Sequence, residues 1–328
     1  MRAAIASGAK QPWQVHTLAD PEPGFNQVLV RVRASGICHN DLRQSSGEFG
    51  GHFPKTLGHE PAGEIVAVGP GVHHRKVGDR VGVMLWQGAC GRCEWCQRGK
   101  PIFCAESVGT SMHMPGSHAE LMIALADATV LLPDGLSYEQ AAPIFCAGYT
   151  AYSGLRSAEP RPGDIIAVVG IGGLGHLAIQ YAKAAGFRTI ALCRNPDKDS
   201  LIRKLGADEI VRDGNGLAAA GGADIVLGTS VSTEAQIEAM QGLRPEGRLV
   251  VMGFERKPLP LPVGAMIARR LRVIGSQHNE REHLYEALAL SAQGKVTAFT
   301  ETYRLDDIDT ARERLEQGKV RFRAVVVM

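Results

Sequence analysis

The amino-acid sequence predicts a two-domain protein of the α/β plus β class, and three observations support this fold class. Residues 1–145 contain short apolar runs separated by Gly and Pro, and in QVLVRVRAS the apolar positions alternate as in a β-strand. From about residue 147, continuous apolar strands alternate with helical segments, a pattern typical of a parallel sheet covered on both faces. A glycine-rich turn joins the first of these strands to its helix. A chain of 328 residues is long enough for two such domains.

Composition and charge argue against several classes of function. The net charge of +2, without any Lys/Arg-dense run, gives no reason to expect a nucleic-acid partner. No uninterrupted apolar stretch reaches about 18 residues, so we expect neither a transmembrane helix nor a membrane partner. The N-terminal residues lack an apolar segment of about 7–15 residues, so we expect no signal peptide and a cytoplasmic location. In a reducing compartment the seven cysteines are more typical of metal ligands than of disulfides.

Two motifs in the strand-rich domain and one at its end hold candidate ligands for a catalytic metal. Cys38 lies in GICHNDL, His59 in LGHEPAG and Cys146 in APIFCAGYTAY. Cys and His ligands with one free coordination position are typical of catalytic zinc. Simpler interpretations also fit, because a Cys in an apolar run is often a buried core residue and a His beside Glu60 is often a surface pair. Spacing alone leaves these alternatives open.

A lobe at residues 88–105 contains a second set of ligands with the spacing Cys-x2-Cys-x2-Cys-x7-Cys. Four thiolates on one short segment predict a closed, tetrahedral zinc site that has a structural role. An iron–sulfur run usually spaces its fourth Cys closer and follows it with Pro, whereas Ala105 follows here. A disulfide lobe needs an oxidising compartment. The predicted ligands are Cys90, Cys93, Cys96 and Cys104.

The pattern G-x-G-x-x-G follows the strand DIIAVVG and begins the helix LGHLAIQYAKAAG. In this strand–turn–helix context the glycines allow a tight turn and a close approach of backbone N–H groups to a pyrophosphate. The alternative is a plain turn between strand and helix. The predicted cofactor-binding turn comprises Gly170, Ile171, Gly172, Gly173, Leu174 and Gly175.

The end of the next strand, RTIALC, bears on which nicotinamide cofactor is used. An acidic residue about 20 positions after the glycine turn would bind the 2′-hydroxyl of NAD. This chain has Cys193, Arg194 and Asn195 there, without a carboxylate. A guanidinium favours a 2′-phosphate, so the sequence favours NADP(H) and leaves NAD(H) open. The alternative is that Arg194 is simply solvated.

Further strands in the α/β domain are predicted in ADIVLGT, GRLVVMG and LRVIGSQ. The tail, residues 279–328, contains a helix and ends in FRAVVVM, a strand-like run. We expect the tail to return to the first domain.

Together, GICHNDL, TLGHEPAGEIVAVG, the four-Cys lobe, APIFCAGYTAY and VVGIGGLGHLAIQYAKAAG resemble the zinc-dependent medium-chain alcohol dehydrogenases, in that family's order. The resemblance covers nearly the whole chain. The short lobe and compact length are similar to the microbial and cinnamyl-alcohol-dehydrogenase-like branch. It implies a GroES-like catalytic domain at 1–147 and 279–328, and a Rossmann dinucleotide-binding domain at 148–278.

The resemblance also implies roles for individual residues near the metal. Cys38, His59 and Cys146 match the ligands of a catalytic zinc. Glu60 matches a carboxylate close to the metal that can exchange with its water, and Asp41 matches a carboxylate that supports the His ligand. With the four-Cys lobe, this implies two zinc ions per chain.

Cofactor contacts and partners are implied in the same way. His39 and Arg323 match residues that contact the cofactor pyrophosphate. The backbone of Met252–Phe254 and of Ser276–His278 matches the segments that hold the nicotinamide carboxamide. The expected partners are a small alcohol or aldehyde and further copies of the chain, in a homodimer or homotetramer.

The expected activity is hydride transfer between a nicotinamide cofactor and an alcohol, aldehyde or ketone. One departure from the family pattern leaves alternatives open: Asn40 stands where Ser or Thr usually passes on the proton, and Arg43 where many relatives have His. An amide is a poor proton carrier and Arg43 stays protonated. A conjugated C=C reductase that has lost this relay is the first alternative, and a non-enzymatic cofactor-binding relative is the second.

Overall fold

The computed structural model describes residues 1–50 and 52–328. Its strands, in chain order, are β1 (Arg2–Ala6), β2 (Trp13–Thr17), β3 (Gln27–Ile37), β4 (Lys55–Thr56), β5 (Glu60–Val68), β6 (Arg80–Val83), β7 (Trp86–Gly88), β8 (Val108–Gly109), β9 (Leu121–Leu125), β10 (Thr129–Leu131), β11 (Ile165–Val169), β12 (Arg188–Leu192), β13 (Glu209–Val211), β14 (Ala223–Gly228), β15 (Leu243–Val251), β16 (Arg272–Gly275), β17 (Thr300–Arg304) and β18 (Arg323–Val327). Its α-helices are α1 (His39–Ser45), α2 (Glu94–Gln97), α3 (Tyr138–Ala141), α4 (Ala147–Ser157), α5 (Gly175–Ala184), α6 (Asp199–Lys204), α7 (Gly214–Ala219), α8 (Thr233–Met240), α9 (Val263–Arg269), α10 (Arg281–Ala292) and α11 (Ile308–Glu316).

The described chain divides into two compact units, Met1–Cys146 with Ala298–Met328, and Ala147–Thr297. From the sequence, the tail was expected to return to the first domain at residue 279, whereas in the structure it returns at Ala298. Helix α10 packs against α4 and therefore lies in the second unit. The return to the first unit begins with β17, just after Ala298.

The first unit is a mainly antiparallel β structure. Its largest sheet has the order β10-β6-β5-β3-β18-β17, with β9 also pairing with β3, and a smaller sheet has the order β2-β1-β4. Buried and more exposed side chains alternate along the first half of β3, as the sequence pattern predicts. Strand β18 pairs antiparallel with the end of β3, matching Ala324 with Ile37. This pairing brings the C-terminal tail beside the residue that precedes Cys38.

The second unit contains a six-stranded parallel sheet in the order β13-β12-β11-β14-β15-β16. Every residue of β11 is buried, as expected for a parallel strand covered on both faces. The chain order reverses next to β11, which has β12 on one side and β14 on the other. In such sheets, ligands bind at the carboxyl ends of the strands beside this switch point. The turn after β11 lies there.

The helices of the described residues do not include a membrane-spanning helix. None of them combines the length and the apolar character needed to cross a bilayer.

Candidate zinc centres and cofactor-binding turn

Helix α1 fixes the direction of the Cys38 side chain. Cys38 is the N-cap residue, and its backbone N–H donates to Asp41 Oδ2 over 2.8 Å. In return, the backbone N–H of Asn40 points to Cys38 Sγ at 3.5 Å. This reciprocal arrangement is a capping box, in which two otherwise unpaired helix-end donors are satisfied. The thiol and the Asp41 carboxylate are therefore held on the same side of the helix start.

Asp41 also orients His59, which comes from the turn before β5. His59 Nδ1–H donates to Asp41 Oδ1 over 2.9 Å, and the Gly58 N–H donates to the same oxygen over 3.2 Å. Both side chains are buried, with His59 1% and Asp41 0% exposed. Among the residues that the structure describes, His59 Nε2 has no hydrogen-bond partner. A His that binds zinc through one ring nitrogen usually donates the N–H of its other ring nitrogen to a carboxylate. His59 has this arrangement, with Nε2 left for a metal.

The ligand atoms of Cys38, His59, Glu60 and Cys146 all lie within 4.8 Å of one another, and all four residues are buried. The Sγ atoms of Cys38 and Cys146 are 3.8 Å apart, and neither Cys is in a disulfide. Two thiolates and one imidazole fit the ligand preference of zinc and leave a fourth position for water or substrate. The structure thus brings together the residues that the sequence pointed to in three separate motifs.

Electrostatics favour metal binding at this cluster. A hydrogen bond from the Cys146 thiol holds the pKa of Cys38 well below its usual value, and the same contact raises the pKa of Cys146. Burial alone would lower the pKa of His59, but the Asp41 carboxylate raises it well above its usual value. A divalent cation would replace the protons that these groups now share, because it binds thiolate and neutral imidazole.

Glu60 and Arg323 form a buried ion pair beside the ligands. Arg323 Nη2 donates to both Glu60 carboxylate oxygens, and the two side chains are 0% and 3% exposed. Burial raises the pKa of Glu60 to about 7, although Arg323 opposes this shift. The resemblance assigned Arg323 to the cofactor pyrophosphate, whereas within its own unit this guanidinium binds Glu60. The pairing of β18 with β3 creates this contact, and no sequence pattern around residue 323 predicts it.

The other residues of α1 that concern the reaction are less constrained. His39, at the first position of the helix, is exposed, and Asn40 is half-buried. The Arg43 Nε lies 3.9 Å from the Glu48 carboxylate. Arg43 is therefore one member of a weak ion pair.

The four cysteines of the lobe form the second metal cluster. Their Sγ atoms lie within 4.8 Å of one another. Backbone N–H groups point to the sulfurs of this cluster: Cys93 N is 3.4 Å from Cys90 Sγ, and Glu106 N is 3.3 Å from Cys104 Sγ. Such donors stabilise thiolates. A set of four thiolates leaves no open position, so this cluster fits a structural zinc site.

In the second unit, the turn after β11 has the geometry that the glycine pattern predicts. Gly170 has φ +93°, and a Cβ there would lie 2.5 Å from the Ser230 backbone. The single hydrogen of the Thr229 hydroxyl is shared between the carbonyl oxygens of Val169 and Gly170, which lie 2.9 and 2.7 Å from Oγ1, and this contact fixes the turn. Leu174, the N-cap of α5, provides no side-chain cap. No side-chain acceptor therefore competes with an anion at the start of this ten-residue helix, although the His176 and Leu177 N–H groups donate to the Gly172 and Leu174 carbonyls over 3.1 and 3.0 Å.

The segment after β12 contains the residues that bear on cofactor choice. Cys193 is buried, and its thiol donates to the Asn195 carbonyl over 3.4 Å. Arg194 is 69% exposed and pairs with Glu238 of α8. Lys198 is a further residue of this segment that no sequence motif indicated, and its Nζ donates to the Ile171 carbonyl of the glycine turn over 3.1 Å. Its only sequence signal is its position a few residues after the strand end.

Two further predicted cofactor segments follow β15 and β16, whose carboxyl ends lie at the same edge of the sheet as the glycine turn. Met252 N–H donates to the Gly228 carbonyl over 3.0 Å. Ser276 Oγ accepts from Asn279 Nδ2 over 2.9 Å. The predicted contacts to a nicotinamide carboxamide stay predictions, and the parallel strands place both segments at the same edge of the sheet as the turn, two and three strands away from β11.

Comparisons with known proteins agree with this combination of fold and site. Residues 24–134 match the family model described as alcohol dehydrogenase GroES-like domain, and residues 173–293 match the one described as zinc-binding dehydrogenase. An alcohol dehydrogenase of Geobacillus stearothermophilus is 38% identical over 99% of both chains. The solved alcohol dehydrogenase of Aeropyrum pernix has a TM-score of 0.92 at 30% identity, covering 100% of both chains. A cinnamyl alcohol dehydrogenase of Sorghum bicolor has a TM-score of 0.89 at 32% identity, covering 99% of this chain and 96% of the other.

The chain belongs to the zinc-type medium-chain alcohol dehydrogenases, with a GroES-like domain and a Rossmann domain. It is an enzyme, a zinc-dependent alcohol oxidoreductase. The two alternatives from the sequence, a conjugated C=C reductase and a non-enzymatic relative, are not favoured by these relatives.

Proposed function

We propose that this enzyme transfers a hydride between a nicotinamide cofactor and a small alcohol, or the matching aldehyde or ketone, with Cys38, His59 and Cys146 as ligands of the catalytic zinc. The observation that supports it most is the buried cluster of these three ligand atoms, with His59 oriented by Asp41. When bound, the zinc supplies a Lewis acid for the substrate oxygen, and the nicotinamide exchanges the hydride.

The residues around the ligands keep the fourth position open. Arg323 holds both oxygens of Glu60, so this carboxylate is satisfied without the metal. Glu60 is thus a carboxylate close to the zinc and not a permanent ligand. The wholly buried Asp41 keeps the His59 ring from turning away. The four-Cys cluster holds the second zinc and has a structural role.

Zinc content and turnover test this proposal together. We expect two zinc ions per chain in the wild type. Cys146→Ser should lose one zinc and lower kcat/KM for alcohols about a thousandfold or more, because zinc contributes several kcal/mol to the transition state. Metal analysis and a panel of alcohols and aldehydes with both cofactors measure this.

Cys193→Ser is the matched control for zinc content, since Cys193 lies outside both clusters and should leave both zincs in place. A wild-type enzyme with one zinc, or a Cys146→Ser enzyme with full turnover, would contradict the proposed site.

For the cofactor, we propose NADP(H) in preference to NAD(H). The segment after β12 presents a guanidinium and an ammonium, Arg194 and Lys198, and at Cys193 it lacks the carboxylate that would bind a ribose 2′-hydroxyl. The ion pair of Arg194 with Glu238 is largely exposed, so solvent screens it and its loss on phosphate binding costs little.

Arg194→Ala should weaken NADPH binding about tenfold and leave NADH binding unchanged, because only the 2′-phosphate would contact the guanidinium. Binding is measured by fluorescence titration of each reduced cofactor. Arg188→Ala is the control, since Arg188 forms a similarly exposed ion pair, with Glu209, at the opposite end of β12. Tighter binding of NADH than of NADPH by the wild type would refute the preference.

The proton path is the second open feature of the reaction. Asn40 follows the zinc ligand Cys38 by two residues and can donate a hydrogen bond to an alkoxide, but it cannot carry the proton away. Arg43 is always protonated and is one member of a weak ion pair with Glu48. We propose that water or the cofactor ribose accepts the proton in this enzyme.

Asn40→Thr should restore a hydroxyl and raise kcat for alcohol oxidation severalfold, with the largest gain at low pH, where hydroxide, a stronger proton acceptor than water, is scarcest. Asn40→Val is the control, because it has the shape of Thr without the hydroxyl. Steady-state rates across pH are the measurement. Equal rates for the Thr and Val variants would show that residue 40 takes no part in proton transfer.

A homodimer or homotetramer is also proposed. Strand β16 lies at the edge of the parallel sheet, and the neighbouring α9 exposes Val263 and Ile267, at 62% and 75%. An unpaired strand edge with apolar neighbours is suited to pairing with another copy. Light scattering after size exclusion measures the mass, and a stable monomer would contradict this.

The cytoplasmic location stays a prediction that cell fractionation tests.

A further inference from the structure

His118 is a buried titratable residue to which the proposed mechanism gives no role. It precedes β9, and its side chain is 0% exposed. Its Nε2 lies 3.8 Å from Asp41 Oδ2 and has no hydrogen-bond partner within the described part of the chain. A buried polar atom without a hydrogen bond costs free energy, so this placement needs a compensating interaction.

The neighbours of His118 determine which ring nitrogen has the proton. Asp41 Oδ2 only accepts, so it repels a lone pair on Nε2 and attracts an Nε2–H group. Nδ1 then accepts a hydrogen bond from Ser35 Oγ, which is 2.9 Å away. Ser35 Oγ in turn accepts from Ser117 Oγ over 2.7 Å. Burial lowers the pKa of His118 to about 4, so the ring is neutral near pH 7 and has one N–H group to direct.

The contact between His118 and Asp41 is electrostatic. A separation of 3.8 Å is longer than a hydrogen bond, but both side chains are fully buried, where charge–dipole attraction is stronger than in water. Asp41 already accepts from the backbone N–H groups of Cys38 and Gly58 and from His59. His118 therefore supplies a fourth partial positive charge to the same carboxylate.

Gly58 allows the imidazole to come this close. It has φ +96°, and a Cβ there would lie 2.6 Å from His118 Nδ1 and 2.8 Å from Ser117 Oγ. Trp13 packs against the His118 ring at a centroid distance of 5.6 Å. The ring is thus confined by packing as well as by its hydrogen bond to Ser35.

We propose that His118 is a positioning residue for the catalytic zinc centre. Its Nε2–H group stabilises the ionised Asp41 carboxylate, which holds His59 Nδ1–H and directs His59 Nε2 toward the metal. This inference rests on the proposed role of His59 as a zinc ligand. It extends the support of that ligand from one carboxylate to a series of side chains: Asp41, His118, Ser35 and Ser117.

Two substitutions distinguish the effect of the His118 Nε2–H donor from the effect of its ring packing. His118→Phe keeps an aromatic ring against Trp13 and removes the Nε2–H group. His118→Gln keeps an N–H donor that can reach Asp41. Asp41→Asn serves as the reference, because its amide group would face a hydrogen-bond donor. Zinc affinity of the full-length, zinc-loaded enzyme is measured by competition with a chromophoric chelator, and cobalt-substituted enzyme reports the ligand field by absorption.

His118→Phe should weaken zinc binding at the catalytic site about tenfold, the low end of the effect of outer partners on metal ligands. The cobalt absorption should move in the same direction as in Asp41→Asn. His118→Gln should stay within about threefold of the wild type. The four-Cys site is the internal control, and its affinity should be unchanged in every variant.

Two results would overturn the role of His118: wild-type affinity in His118→Phe, or equal losses in the Phe and Gln variants, which would indicate packing alone. A wild-type enzyme that binds zinc only at the four-Cys cluster would instead overturn the proposed function on which the inference rests.

Discussion

The candidate zinc centre depends on the buried carboxylate of Asp41. An ionised group without access to water is tolerated only if hydrogen-bond donors surround it. Asp41 has three such donors, from the start of α1, from Gly58 and from His59. The same bonds that satisfy this charge connect the two segments that supply Cys38 and His59. The requirement to satisfy one carboxylate therefore fixes the relative position of two ligands and the orientation of the imidazole.

A second buried charge pair fixes the end of the chain to this centre. Arg323 comes from the last strand of the first unit and binds Glu60, which directly follows His59. Leaving either partner alone would be costly, because each would then be an uncompensated buried charge. The return of the tail after residue 298 thus completes the electrostatics of the site as well as the sheet. Glu60 is paired with the guanidinium of Arg323, so its charge is compensated within the protein.

Much of the fold and site could be predicted because the relevant signals are local. The four cysteines of the lobe lie within 15 positions, and the glycine turn is one continuous motif between a strand and a helix. Apolar runs such as residues 165–169 predicted buried parallel strands, which the structure confirms. The tail was harder: the helix at 281–292 belongs to the second unit, since its partner α4 lies more than a hundred residues earlier, and periodicity within a helix does not reveal its partner.

The sequence by itself determined which residue types were available for metal and cofactor binding and which apolar runs form the main strands of the parallel sheet. Only the tertiary structure decided which of them meet. Cys38 and Cys146 are 108 positions apart, and Arg323 and Glu60 are 263 apart. Likewise, no sequence pattern distinguishes His118 from other residues that precede a strand. Only the tertiary structure shows that it lies against Asp41. The physical reason is that hydrogen bonding and burial act between neighbours in space, and strand pairing, such as that of β18 with β3, makes distant positions neighbours.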